Sequence, residues 1–259
     1  MRILITLFVV LAFVVCVENN PALSATVFKD GKISSSPSTS SSKKIPLGGK
    51  LSDDAFTKSK WKISCDPDKG ALTKNGKGYV LKPSKNNCDG GTFGQRTELY
   101  TGNIPANHKG QYVFVSDFRL KTKENNLFNI FTIHDGRSGC AAPIQIFVTE
   151  QGYLRLRGDY KYGAGESCDR DILKTKYTFK QKVKRDGAEQ QLKIFLDFIG
   201  NGDINAEVHL NGELVATTAY RFPEGRGFLK SQGFFAKHGV YSHEMFDYVL
   251  ETEFTFKKK

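Results

Sequence analysis

The chain has 259 residues, a formal net charge of +11, 39% hydrophobic residues and 12% aromatic residues. That is enough apolar material for a packed core, which excludes a wholly disordered chain. One long apolar run, Ile3 to Val17, excludes a helical membrane protein with several spans, and the basic excess points to an acidic partner: nucleic acid, anionic lipid or acidic polysaccharide.

The first predicted element is an export signal over residues 1–24. Arg2 supplies the basic start, Ile3 to Val17 the apolar stretch, and Ala22, Ser24 and Ala25 the small residues around a cleavage point. The apolar run is too short for a span, so a secreted, extracellular product without membrane attachment is expected. Residues 25–46 follow as a flexible linker, because "KISSSPSTSSSKK" cannot bury enough apolar surface to offset ordering. Residues 47–259 are then a single domain.

Period-2 alternation dominates that domain. "QYVFVSDFRL" puts Tyr112, Phe114, Phe118 and Leu120 on one side. "PIQIFV" and "YLRLRG" are joined through "TEQG"; "QLKIFLDF" turns at "GNGD" into "INAEVHL". Asn211-Gly212 then predicts a hairpin into "ELVATTAY", since both residues tolerate positive φ. "YVLETEFTF" closes the chain with Tyr248, Leu250, Phe254 and Phe256 on one side. No amphipathic helix longer than two turns is evident. The pattern predicts an all-β fold, a two-sheet antiparallel β-sandwich of jelly-roll, concanavalin-like type with a concave groove for an extended polymer.

Outside the signal lie Cys65, Cys88, Cys140 and Cys168. An even count in an exported chain predicts two disulfides. Three pairings exist; Cys65–Cys88 and Cys140–Cys168 each enclose a short segment and are favoured. No CxxC or HExxH spacing appears, so no metal site is expected.

Three short strands each gather polar groups on one face. In "FGQRTELY", Arg96, Glu98 and Tyr100 share a face, and Gln95, Thr97 and Leu99 the other. In "IFTIHDG", Thr132 and His134 share a face. In "FFAKHGVYSHE", Lys237, Gly239, Tyr241 and His243 share one, with His238 and Ser242 opposite. A solvated face normally runs to Lys, Glu, Thr and Ser; Arg, His and Tyr are enriched at recognition sites.

This set suits β-elimination on a polyuronate. Neutralising the C5 carboxylate acidifies the C5 proton, a base removes it, and an acid protonates the departing O4. Arg is the bidentate choice for the carboxylate; His, Lys or Tyr can take the proton. Arg96, His134, Tyr241 and Lys237 supply the groups without cofactor or metal.

The same segments carry a family resemblance. Arg96-Thr97-Glu98-Leu99-Tyr100, Thr132-Ile133-His134 and Phe235-Ala236-Lys237-His238-Gly239-Val240-Tyr241-Ser242-His243 are similar, in order and placement, to R-T-E-L-R, Q-[IV]-H and Y-F-K-A-G-x-Y-x-Q of the jelly-roll alginate lyases of polysaccharide lyase family 7. "TIHDG" and "FFAKHGVYSHEMFDY" resemble family 14 more closely, and the glucuronan lyases of family 20 are a third relative. The resemblance implies that Arg96 binds and neutralises the carboxylate, that His134 neutralises it or acts as base, and that Tyr241 is the acid and, alternatively, also the base. Lys237 and Glu98 hold the substrate or the strand geometry. Gln95, Thr132 and His243 stand at substrate-facing motif positions. Tyr160 and Tyr162 of "DYKYG" match the family 14 Y-x-Y pair, and Arg155 and Arg157 before them form a cationic subsite. The sequence departs from these patterns at Thr132, at His243, and at Gln95, which stands where family 14 has a lysine.

The expected partner is therefore an acidic polysaccharide (alginate, polymannuronate or glucuronan) rather than nucleic acid, acted on by a monomer. The competing reading is a non-catalytic, lectin-like protein on the same fold, motivated by Gln95 and Thr132. A glycoside hydrolase needs two suitably spaced carboxylates, for which only Glu98, Glu251 and Glu253 offer themselves. Elsewhere, Gly239 is expected to leave room for sugar, His108 to occupy a loop without a specific role, His209 to lie on the surface, and Trp61 to pack at the core or groove edge.

Overall fold

The computed structural model describes residues 50–58, 60–85, 94–137, 139–222 and 228–259. The expected export signal, the linker and Cys88 lie outside these residues. Among the described residues there are seventeen strands and no helix, and so none long and apolar enough to cross a membrane. In chain order the first eight are β1 (Lys62–Ser64), β2 (Leu72–Asn75), β3 (Gly78–Leu81), β4 (Gln95–Tyr100), β5 (Ile104–Pro105), β6 (Lys109–Lys121), β7 (Phe128–His134) and β8 (Ile144–Val148). Then come β9 (Leu154–Arg157), β10 (Tyr160–Lys161), β11 (Cys168–Asp169), β12 (Lys176–Tyr177), β13 (Asp186–Ile199), β14 (Ile204–Leu210), β15 (Glu213–Tyr220), β16 (Gly233–Ser242) and β17 (Val249–Lys258).

They form the expected two-sheet antiparallel sandwich. The first sheet runs β1-β4-β16-β7-β8-β9, with β5 pairing β16 as well. The second runs β12-β15-β14-β13-β6-β17-β3-β2, and β10 and β11 form a separate ribbon. Alternation decides which side chains meet between the layers. β14 alternates buried and half-buried residues along its whole length. From the second sheet Phe114, Phe118, Leu120, Ile194, Leu196, Val208 and Leu250 point inward, and from the first Leu99, Phe131, Ile133, Ile144, Ile146, Ala236 and Val240 meet them. Each large apolar side chain buried this way contributes about 1.5–3 kcal/mol. The Asn211-Gly212 hairpin forms as read, with φ of 52° and 83°. Trp61 packs inward against Phe254, ring centroids 4.7 Å apart.

One polar group sits at the centre of this core. His238 of β16 is fully buried. Its Nδ1–H donates to the Ile130 carbonyl at 2.9 Å, which leaves Nε2 as acceptor facing Thr252 Oγ1 at 3.0 Å and Ser116 Oγ at 3.3 Å. Those hydroxyls are 2.8 Å from each other. Burial pushes the imidazole down to about 4 from 6.5, against the opposing Ile130 bond, so it is neutral. His108, expected to do nothing specific, is also buried: its ring bridges Asp53 Oδ1 at 3.0 Å and the Tyr112 hydroxyl at 2.7 Å. Burial, with Asp53 and Asp54 adding to it, pushes that hydroxyl up to about 12.

The Cys140–Cys168 disulfide forms as expected across a separation of 28 residues. Cys65 is disulfide-bonded too.

Candidate functional site

The site is built on the first sheet, on the face turned away from the core. β4 and β16 pair without interruption, so Arg96 lies opposite Tyr241, Glu98 opposite Gly239 and Tyr100 opposite Lys237. On its other edge β16 places Phe235 opposite His134, Lys237 opposite Thr132 and Tyr241 opposite Asn129. β7 and β8 align Thr132 with Gln145 and Asn129 with Phe147. β8 and β9 then align Gln145 with Arg157 and Phe147 with Arg155. Two rows cross the sheet in consequence: Tyr100, Lys237, Thr132, Gln145 and Arg157; and Arg96, Tyr241, Asn129, Phe147 and Arg155. Groups far apart in sequence thus become neighbours about 4.8 Å apart, strand to strand.

Glu98 organises the centre. Its carboxylate is buried, with Oε2 at 3.4 Å from Arg96 Nε and 3.5 Å from Lys237 Nζ. Lys237 Nζ also reaches Ser64 Oγ at 3.5 Å. Burial drives the Lys237 ammonium below its ordinary value, Glu98 opposes this, and Arg96 adds to it. Arg96 lies over the ring of Tyr241, Cζ 4.1 Å from the centroid, a cation–π arrangement. Its Nη1 donates to Cys65 Sγ at 3.2 Å. The guanidinium is therefore held by a carboxylate, a ring and a sulfur before any ligand arrives.

His134 ends β7. Gly136, at φ 81°, closes a tight turn and donates its N–H to His134 Nδ1 at 2.7 Å. An imidazole nitrogen that accepts cannot carry the proton, so the neutral ring bears it on Nε2. Burial is the main force holding this ring down at about 3; Lys237, Arg137 and Arg96 add to the effect and Asp135 opposes it. The ring stacks on Phe235 at 5.0 Å. The turn is fastened beneath: Asp135, fully buried, pairs with Arg137 Nε at 2.5 Å and accepts from Ser231 Oγ, while Arg137 Nη2 donates to the Asp159 carbonyl at 3.0 Å. This chain of contacts fixes the tautomer and the aim of His134.

Several expectations are corrected. Gln95 does not face outward: it is wholly buried, and its Nε2 donates to the Glu244 carbonyl at 3.0 Å, as strand alternation from Arg96 requires. Gly239 makes no room for sugar. At φ 149° a Cβ there would lie 2.2 Å from the Thr97 carbonyl oxygen of β4, so the glycine permits close strand packing. Tyr160 belongs to the separate β10–β11 ribbon and packs against Tyr220 and Phe228 at 5.3 and 5.8 Å. Tyr162 is exposed beside the same Phe228. Neither stands in the two rows.

Arg155 and Arg157 do stand in the rows, at the β9 edge, where Asp171 pairs with both at 3.4 and 3.2 Å. Thr132 is buried and donates to Asn129 Oδ1 at 2.9 Å. His243 is exposed just beyond the end of β16.

The sequence reading missed Gln145 and Asn129. Gln145 is buried in its row beside Thr132. Asn129 has a buried Nδ2 without a hydrogen-bond partner among the described residues. The signal for Gln145 was one polar residue inside the apolar run "PIQIFV". No group of three or more His, Cys, Asp or Glu side chains among the described residues is placed to hold a metal ion.

No family model and no curated protein matches the sequence. Among solved structures, an alginate lyase of polysaccharide lyase family 7 is similar at 15% identity and a TM-score of 0.49, over 82% of this chain and 100% of that one. An alginate lyase from Pseudomonas aeruginosa is similar at 11% identity and a TM-score of 0.49, over 80% and 100%. An endo-β-1,4-glucuronan lyase from the fungus Trichoderma reesei is similar at 13% identity and a TM-score of 0.44, over 79% and 90%.

Proposed function

We propose that this protein is a secreted polysaccharide lyase that cuts an acidic polyuronate by metal-free β-elimination, leaving a C4=C5 unsaturated uronate end. The observation that carries the reading is the meeting of Arg96, Lys237, Tyr241 and His134 on one sheet face, contributed by three adjacent strands.

Arg96 and the Nε2–H of His134 are donors for the C5 carboxylate, whose neutralisation acidifies the C5 proton. His134 is poorly suited to be the base, because Nδ1 already accepts from Gly136 and Nε2 already carries the proton. Tyr241 takes that role as a phenolate beside the Arg96 guanidinium. It accepts the C5 proton, the C5–H electrons form the C4=C5 bond, and the C4–O4 pair leaves on O4. The phenol so formed returns its proton to O4, which closes the cycle.

One group serving both positions requires the C5 hydrogen and O4 to lie on the same side of the sugar. Mannuronate and glucuronate meet that condition; guluronate, inverted at C5, does not. The test is incubation with polymannuronate, glucuronan and polyguluronate while following the ultraviolet absorbance of the new double bond. The first two are expected to react and the third to lag. Folded protein that yields no product on any of them sinks the reading, and saturable binding without cleavage turns it into a glycan-binding protein.

A further inference from the structure

Beyond the β9 edge of the first sheet lies an aromatic group that the site does not use. Phe179 is 57% exposed. Its ring stacks on Tyr177 with centroids 5.1 Å apart and 23° between planes, and meets Tyr153 edge-on at 5.5 Å. Phe179 holds this position at φ 51°, a conformation costly for a bulky side chain, so the surrounding structure keeps an apolar ring in water at a conformational penalty. Tyr177 anchors the group: its hydroxyl receives the Leu156 N–H at 2.8 Å and donates to the Leu156 carbonyl at 3.2 Å. Cations lie near it in space and in sequence. Lys182 Nζ lies 4.6 Å over the Tyr153 ring, and Lys176 and Lys180 are exposed.

The position is as telling as the composition. Tyr153, Arg155 and Arg157 alternate along one side of the same segment, and Arg155 ends the row that begins at Arg96 and Tyr241. From Tyr241 on β16 to β9 is three strand spacings, about 14–15 Å. A polymer lying along that row therefore passes Arg155 and reaches the aromatic group next.

We propose that Tyr153, Phe179 and Tyr177 form a distal subsite, on which sugar rings of the acidic polysaccharide stack while Lys182 and Arg155 attract their carboxylates. This rests on the lyase reading for the identity of the polymer. Exposed aromatic faces suit the C–H-rich faces of sugar rings, and the cations supply charge complementarity.

The experiment uses the full chain and Phe179→Ala, with Phe179→Tyr as the control that keeps a ring. KM is measured on long polymannuronate and glucuronan and on trisaccharides of each, and retardation is measured in gels cast with the same polymers. For Phe179→Ala, KM on the long polymers should rise about three- to tenfold, with KM on trisaccharides and kcat unchanged and gel retardation weakened. Phe179→Tyr should behave as wild type. Equal KM for wild type and Phe179→Ala on long polymer overturns the subsite and leaves the lyase reading standing. Retardation that depends on Phe179 without any cleavage supports the subsite and removes the lyase. Neither cleavage nor retardation by the wild type overturns both.

Discussion

Arg96 and Tyr241 face each other across β4 and β16, and the guanidinium carbon lies 4.1 Å from the centre of the phenol ring. The contact places a permanent positive charge beside the group to which the proposed reaction assigns both proton transfers. Tyr241→Phe keeps the ring and the cation–π contact and removes only the hydroxyl. Turnover should fall by at least about 10²-fold, with the melting temperature nearly unchanged. A near-normal rate removes Tyr241 from the chemistry.

Arg96→Lys separates charge from shape. Lysine keeps a positive charge but lacks the planar fork that grips a carboxylate at two points and stacks on a ring. kcat/KM should drop by about 10- to 100-fold. Because neutralisation matters most as C5 loses its proton, kcat should fall along with the rise in KM. A change confined to KM makes Arg96 a binding residue only.

His134 offers a donor, so a side chain that also donates should substitute for it in part. His134→Gln is expected to retain clearly more activity than His134→Ala. With its imidazole held down at about 3, the wild-type rate should show no ionisation limb from this residue between pH 5 and 8. Equal inactivity of both variants returns His134 to the role of base.

The same burial makes stability depend on pH. His134 and His238 are held at about 3 and about 4, against 6.5 for an ordinary histidine. As pH falls below 6.5 the unfolded chain binds these protons and the folded chain does not. Their contribution is therefore intact above pH 6.5 and is lost progressively down to each folded value. Each histidine should cost about 1.4 kcal/mol per pH unit across that window. Urea midpoints at pH 7.5, 6 and 5 measure the slope, and His134→Gln should remove roughly half of it. A flat response argues that these rings are charged in the folded state.

Gly239→Ala should be poorly folded or insoluble. The added methyl meets the Thr97 carbonyl oxygen at 2.2 Å and the Glu98 Cα at 2.7 Å, and backbone cannot step aside as a side chain can. A loss of more than about 3 kcal/mol is expected, read from the thermal midpoint. A well-folded variant with impaired turnover points instead to a direct role in substrate binding.

Much of the sandwich was legible in the sequence. The alternation of "INAEVHL", the Asn211-Gly212 turn and the opposite facing of Lys237 and His238 need only the period of a strand. The lateral arrangement of the site was not legible. Nothing local says that Gln145 will lie beside Thr132, because register is settled by the packing of whole strands. Asn129 was hidden for a different reason. It is three residues from Thr132, so plain alternation separates them, but the pairing of β7 slips between Asn129 and Phe131. Ile130 and Phe131 both turn into the core, and Asn129 emerges beside Thr132. Tyr160 and Tyr162 match a motif by sequence, but the strand that carries Tyr160 pairs in a separate ribbon, which local alternation does not reveal.

His238, Ser116 and Thr252 come from three strands and two sheets, and each satisfies the others in the middle of an otherwise apolar layer. Hydrophobic contact alone is tolerant of sliding, since one apolar ridge resembles the next. Shifting one sheet past the other by a single residue would leave the buried His238 Nε2 without its two hydroxyl donors, at about 1–3 kcal/mol. The triad thus works as an alignment key between the layers. The strand it keys is β16, so the interior sets the height at which Lys237 and Tyr241 stand on the opposite face.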